Sequence, residues 1–273
     1  MLKIDSHQHF WVFDPVRDSW INDEMEVIRR DFLPQDLKPL LDSNGFDGCI
    51  AVQADQSEKE TDFLLHLASQ NSFIKGVVGW IDLCAENIDE RLDYYSQFSL
   101  LKGFRHILQA EPVDFVLKPE FKRGLNALKS YGYTYDILVF PQHLPNILKL
   151  ISDQAFVIDH LAKPDIKNGV FSPWDKNLKD IASFQNVYCK FSGMVTEANL
   201  KNWKKEDIYP YMDKVLELFG PERLMFGSDW PVCKLAAEYS MVCKLVDEYI
   251  AKLTHSEQEL IWGKNASTFY KLD

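Results

Sequence analysis

Eight times along the chain, a short run of β-branched and aromatic residues precedes a longer segment in which apolar residues return every three or four positions. That alternation predicts an α/β fold, a closed (β/α)8 barrel of the TIM type. The 273 residues suit one such domain spanning 1–273, since about 250 residues is typical of this architecture. The chain also lacks G-x-G-x-x-G and G-x-x-x-x-G-K-[ST], the glycine loops that cradle phosphates in open α/β sheets. No linker, internal repeat or low-complexity tract interrupts the pattern.

The first predicted strand, Leu2 to Phe10, leads into a long excursion from Phe10 to Lys38 that is rich in aromatic and charged residues. In a barrel such a loop lies on the face that holds the chemistry. Gly48 to Gln53 is the second strand, followed by a helix over Ser57 to Gln70. Gly76 to Asp82 and Leu101 to Leu108 come next, then a helix over Pro119 to Tyr131. Pro119 suits a helix start because the missing amide has no intrahelical partner there. Thr134 to Phe140 and Phe156 to Ala162 precede a helix over Trp174 to Phe184, and Asn186 to Gly193 precedes one over Pro210 to Phe219, read as opening on its proline. Arg223 to Trp230 is the eighth strand, with a helix over Ala236 to Leu253 behind it. Gly45, Gly132 and Gly220 fall where helices should stop. In Thr254-His255-Ser256-Glu257-Gln258-Glu259, Ser256 is read as a helix cap with Glu259 closing a capping box.

Composition narrows the function. Hydrophobic residues are 46% and charged residues 26%, enough to build a sizeable core. Acidic residues outnumber basic ones 41 to 30, and a net charge of −11 argues against nucleic acid or an anionic membrane as partner. No apolar run approaches the roughly 18 residues of a membrane span, and no leader pattern follows Met1. The five cysteines are scattered and never form C-x-x-C, which points to a reducing cytoplasm rather than a disulfide framework.

Chemistry concentrates at strand ends. In "IDSHQHFW", His7 and His9 are two residues apart, so both project into the lumen if Asp5 does. Zinc–nitrogen bonds of about 2.0 to 2.1 Å place two ligand nitrogens about 3.3 Å apart, within reach of two imidazoles leaning together. "FVIDHLAKPD" puts His160 near the end of the sixth strand, and "RLMFGSDWP" puts Asp229 at the end of the eighth. Those are the ends at which barrel enzymes carry catalytic groups. Arg105 and His106 cannot both face the lumen of a regular strand; the reading places His106 inside and Arg105 reaching the site from the strand end. Lys190 shares a face with Tyr188 and Ser192, and an inward ammonium needs a negative partner such as Asp229 or substrate. Otherwise it is a paired structural lysine.

The segments "DSHQHFW", "KGFRHILQ", "YDILVFPQHLP", "VIDHLAKPDI", "NVYCKFSGM" and "LMFGSDWPVC", in this order, resemble the amidohydrolase superfamily, in particular its sugar-lactone hydrolase branch. The resemblance spans residue 2 to about residue 270. It implies a TIM-type barrel and hydrolysis of an aldonolactone such as L-fucono- or L-rhamnonolactone to the sugar acid. Carried over by motif, His7, His9, His160 and Asp229 are the metal ligands, for one divalent ion, zinc; some lactonases of the superfamily work without a metal. Two-metal members carry a carboxylated lysine or a glutamate on the fourth strand, whereas this chain has "GFRHI", which disfavours a binuclear site.

Lactone opening needs an activated water, a polarised carbonyl and a proton for the departing ring oxygen. Asp229 is assigned as general base, with His160 and His106 as further catalytic groups. Arg105, Gln53, Trp80, Lys190 and His143 are assigned to substrate binding, with Trp11 and Trp230 walling the pocket. Trp80 can equally be core packing, and His143 can equally sit in the first turn of a helix. The competing functions are a decarboxylase or other hydrolase on the same barrel and, in a different class, a non-catalytic small-molecule binder. The oligomeric state stays open, a homodimer among the alternatives.

Overall fold

Eight parallel strands follow one another in chain order: β1 (Ile4–Gln8), β2 (Gly48–Val52), β3 (Ile74–Gly79), β4 (Leu101–His106), β5 (Thr134–Ile137), β6 (Phe156–Ile158), β7 (Val187–Phe191) and β8 (Leu224–Phe226). In this computed structural model, which describes residues 1–272, each strand pairs with its successor. The segments that continue β1 and β8 then close the sheet. Asp229 donates its amide to the carbonyl of His7 (2.8 Å), and His9 donates to the carbonyl of Trp230 (2.7 Å). The fold is the TIM barrel that the alternation predicts.

The helices are α1 (Pro34–Ser43), α2 (Glu58–Gln70), α3 (Ile88–Tyr95), α4 (Pro119–Ser130), α5 (Leu144–Ile147), α6 (Trp174–Ala182), α7 (Met194–Glu197), α8 (Lys205–Phe219), α9 (Tyr239–Ile250), α10 (His255–Glu259) and α11 (Asn265–Phe269). Phe104, Tyr135, Ile137, Phe156, Ile158 and Phe191 belong to the large buried layer that joins sheet and helices. A smaller cluster, Ile4, Ile50, Val52, Val78, Val157 and Met225, fills the lumen, and Ala266, Phe269 and Tyr270 join it from the C-terminal segment. None of the helices among the described residues is long and apolar enough to cross a membrane, and all five cysteines are free.

Two local expectations are corrected. Pro210 lies inside α8, which opens at Lys205, where the Asp207 carboxylate accepts the Lys204 amide (3.1 Å). The helix runs through the proline because Ile208, Tyr211, Met212, Val215 and Phe219 bury one face of it. Thr254, not Ser256, caps α10: its hydroxyl accepts the Glu257 amide (3.4 Å), and the Glu257 carboxylate accepts the Thr254 amide (2.7 Å). The excursion after β1 is pinned by reciprocal backbone bonds between Trp11 and Phe32 (2.9 Å each).

Candidate metal and catalytic site

The site assembles where strands stop being regular. β1 slips register between Asp5 and Gln8. His7 and His9 turn inward while Asp5 faces the helical layer, accepting a hydrogen bond from the Tyr239 hydroxyl of α9 (3.1 Å), so the expected alternation from Asp5 is broken. Burial raises the Asp5 carboxyl to about 6, against hydrogen bonds from Ser228, His7 and Tyr239. β6 and β8 end early, at Ile158 and Phe226, because the backbone beyond them leaves the extended region. His160, Leu161, Ala162 and Lys163 all have left-handed φ, between 50° and 58°, and Asp229 has φ 58°.

Such a turn costs roughly 1–2 kcal/mol per residue for L-amino acids. It is held by the Lys163 amide donating to the His160 carbonyl (2.7 Å), by the Trp174 indole donating to the Leu161 carbonyl (2.7 Å), and by burial of Leu161 and Ala162. Two glycines make room for the histidines. A Cβ on Gly193, itself at φ +62°, would lie 2.6 Å from His160 Nδ1, and one on Gly227 would lie 2.6 Å from His7 Cβ.

Three imidazole Nε2 atoms converge on one carboxylate oxygen. Asp229 Oδ1 lies 3.4 Å from His9 Nε2 and 3.9 Å from both His7 Nε2 and His160 Nε2. The opposite ring nitrogens have partners: His9 Nδ1 donates to the Val52 carbonyl (2.8 Å), and His160 Nδ1 bonds the Ser192 hydroxyl (2.8 Å). His7 Nδ1 lies 3.2 Å from Asp159 Oδ1, off the ideal hydrogen-bond axis. This is how proteins orient histidines toward a metal. Three lone pairs aimed at an anion repel one another unless a cation or proton lies between them. Burial pushes His160 down to about 4 and His7 well below its ordinary range, so both are neutral ligands at pH 7. Burial works to raise Asp229, but the three imidazoles gathered around it outweigh burial, and the carboxyl stays well below the usual range. The donor set therefore fits a divalent metal.

Beneath this cluster lies a fully buried charge network. Lys190 Nζ bonds Asp136 Oδ2 at 2.6 Å and pairs with Asp159 Oδ1 at 3.0 Å. Arg105 Nη1 donates to Asp159 Oδ2 (3.1 Å) and lies 3.2 Å from His7 Nε2. Burial opposes ionisation of Asp159, yet Lys190, His7 and Arg105 hold its carboxyl well below the usual range. A 560 Å³ groove lined by Asp62, His66, Tyr94 and Phe98 opens elsewhere, between α2 and α3. Volume alone supplies no chemistry, and we place the site by its converging donor atoms.

A family model described as amidohydrolase matches residues 4–272. The chain belongs to the amidohydrolase family. It is 40% identical, over 286 aligned positions covering 99% of this chain and 96% of the relative, to an L-fucono-1,5-lactonase of Burkholderia multivorans. An L-fucono-1,5-lactonase of Burkholderia ambifaria is 34% identical with the same coverage. A crystal structure of an amidohydrolase from Burkholderia multivorans with bound zinc superposes with a TM-score of 0.96 at 39% identity, over 100% of both chains.

Within this amidohydrolase, the structure brings together His7, His9, His160 and Asp229, and it sets Arg105 and Lys190 beside them. The expected orientation at the fourth strand is reversed. Arg105 faces the lumen, whereas His106 turns to the helical layer, stacking on Phe115 and bonding Glu111 through Nε2 (3.1 Å). Phe104 and His106 share one face of β4 and Gly103 and Arg105 the other, so the bulky apolar residue fixes which face meets the helices. His106 thus lacks the lumenal position assigned to it. Trp80 is half-buried and donates its indole N–H to His106 Nδ1 (3.4 Å).

Trp11 and Trp230 do not wall a pocket. Both are 2% exposed and pack edge-on against Phe32, and the Trp11 indole donates to the Arg30 carbonyl (2.8 Å). Gln53 is buried and donates its amide to the Arg105 carbonyl (3.0 Å), which places it under Arg105. His143 sits in a short helical turn against the carbonyls of Phe140 and Glu111 (3.2 Å each), not in the cluster. Lys190 is partnered by Asp136 and Asp159 rather than Asp229. Those two aspartates went unassigned in the sequence reading. Their signal was a lone charge inside an apolar strand, "TYDILVF" and "FVID".

Proposed function

We propose that this protein opens a small sugar lactone, an aldonolactone such as L-fucono-1,5-lactone, to the sugar acid by attack of an activated water. The observation that carries this reading is the convergence of three imidazoles on Asp229 Oδ1 within 3.9 Å, above a buried network of two cations and two carboxylates. The relatives named above support the substrate class. His7, His9, His160 and Asp229 would hold one zinc ion, which when bound supplies the Lewis acidity that brings the pKa of a water toward about 7. Asp229, ionised throughout the neutral range, takes the proton of the attacking water and later delivers it to the departing ring oxygen. Arg105, whose Nη1 lies 3.2 Å from His7 Nε2 while pairing with Asp159, would stabilise the negative charge that develops on the carbonyl oxygen. His160 is held by Ser192 so that its Nε2 stays directed at the reacting centre. The five free cysteines support a reducing, cytoplasmic setting.

The test is acid release from a panel of sugar lactones, followed with a pH indicator, before and after chelation and zinc addition. The wild-type protein should open at least one aldonolactone. The His160→Asn, Asp229→Asn double variant should lose about 10³-fold or more in kcat/KM. A zinc-loaded protein that opens none of the panel above background, or that releases carbon dioxide from an unsaturated acid instead, overturns the reading.

A further inference from the structure

The mouth of the barrel carries a second polar relay, which the metal and catalytic site does not use. β3 pairs with β4 in a register that sets Gly79 against Phe104, so Trp80, the next residue, stands level with Arg105 on the neighbouring strand. Its backbone is pinned from α2: the Trp80 amide donates to the Thr61 hydroxyl, which donates to the Trp80 carbonyl (2.8 Å each). Its ring is not held in that way. Trp80 is half-buried, and among the described residues it packs against neither of the two buried apolar clusters. The ring is held by its edge, through the indole N–H that His106 Nδ1 accepts (3.4 Å).

The bonds around His106 define one proton arrangement. An indole only donates, so Nδ1 is the accepting nitrogen, the ring proton sits on Nε2, and Nε2–H donates to Glu111 Oε1 (3.1 Å). Phe115 stacks on the imidazole with 5.1 Å between centroids, and Phe121 meets it edge-on at 6.0 Å, which keeps the ring in that plane. The charged groups facing it are Glu111 from the turn after β4, Asp82 from the turn after β3 and Lys118 at the N-cap of α4. Burial holds His106 below its ordinary range, against the pull of the two carboxylates. A second proton would go onto Nδ1 and set N–H against N–H, so Trp80 keeps its acceptor only while His106 is neutral.

We propose that His106 is a positioning residue for substrate: backed by Glu111, it holds the Trp80 indole by its edge across the mouth beside Arg105, leaving a ring face to stack on the apolar face of the lactone ring. What the indole stacks on rests on the sugar-lactone reading given above; the hold of His106 on Trp80 does not. The imidazole itself touches neither substrate nor reacting atoms, so its influence is on affinity rather than on the chemical step.

The test uses full-length protein with ¹⁵N-labelled tryptophan, in which the Trp80 indole N–H signal is identified by its loss in Trp80→Phe. At pH 7.5 that signal should move upfield in ¹H in His106→Leu, which fills the same apolar layer and offers no acceptor. In His106→Asn, whose amide oxygen can stand in for Nδ1, it should stay near the wild-type position. Between pH 8 and 4.5 the wild-type signal should titrate and the His106→Asn signal should not. Glu111→Gln should lower the midpoint, because it removes the carboxylate that favours the imidazolium. In kinetics, KM for L-fucono-1,5-lactone should rise about tenfold in His106→Leu and in Trp80→Ala, the upper end of what one aromatic contact is worth, while kcat falls by less than about threefold. His106→Asn should recover most of that affinity. A Trp80 signal that is the same in His106→Leu and wild type, or a KM unmoved by Trp80→Ala, overturns the proposal. A protein that opens no lactone sinks the proposed function, and the indole signal still decides whether His106 holds Trp80.

Discussion

Glu60 illustrates what a single buried carboxyl does here. It sits at the start of α2, 5% exposed, and its Oε1 accepts the amides of Ala54 (3.0 Å) and Asp55 (3.4 Å). Burial raises it from 4.5 to about 7, against those hydrogen bonds and the charge of Arg17. A carboxyl with a raised folded pKa binds its proton more tightly when folded. The stability it contributes is therefore complete below 4.5 and is lost as pH rises through about 7, a span of about 3 kcal/mol. Glu60→Gln keeps the acceptor and removes the titration. Its stability relative to wild type, from urea unfolding at pH 4, 6 and 8, should rise with pH; a constant difference would count against the account. At this scale the sequence disclosed His7, His9, His160 and Asp229, because paired imidazoles and charges at strand ends carry their own signal. It misplaced Arg105 and His106 because adjacent residues differ only in parity, and parity depends on a boundary that sequence reading leaves uncertain by a few positions. The indoles of Trp11 and Trp230 were misjudged because an aromatic near the mouth and an aromatic under it have the same local sequence.

Among elements, the helices with one apolar face were legible and their ends were less so. Ser256 and Glu259 have the same i, i+3 pattern as Thr254 and Glu257, so the pattern alone does not choose between them. Thr254→Ala should cost about 1 kcal/mol, as a lost N-cap does, while Ser256→Ala should cost no more than a few tenths. Thermal or urea unfolding of the two variants checks this. The left-handed stretch from His160 to Lys163 lay beyond sequence reading for a physical reason. No glycine marks it, local preference opposes it, and the tertiary contacts of Trp174 and Ser192, with burial of Leu161 and Ala162, make it the lower-energy choice. Pro210 belongs to the same class, since a buried face on α8 overrides a residue that usually opens helices.

For the molecule as a whole, the barrel was legible because its period of strand and helix repeats eight times, while the polar contents of its lumen were not. Asp136, Asp159, Arg105 and Lys190 form two opposed, buried pairs, and each charge depends on the others. Lys190→Met should destabilise the fold by about 3–5 kcal/mol, because it leaves two buried carboxylates facing each other. Urea unfolding at pH 7 measures this, and a loss below about 1 kcal/mol would show the network relaxed by water. The closure of the sheet by its first and last strands also bears on biosynthesis. His7 emerges from the ribosome with the first strand and Asp229 only after the eighth, so the residues of the candidate metal site cannot meet until all eight strands have been made. Until then the nascent chain carries an open edge at β1 and a cation-binding half-site, and it is the arrival of the final strand that converts both into finished structure.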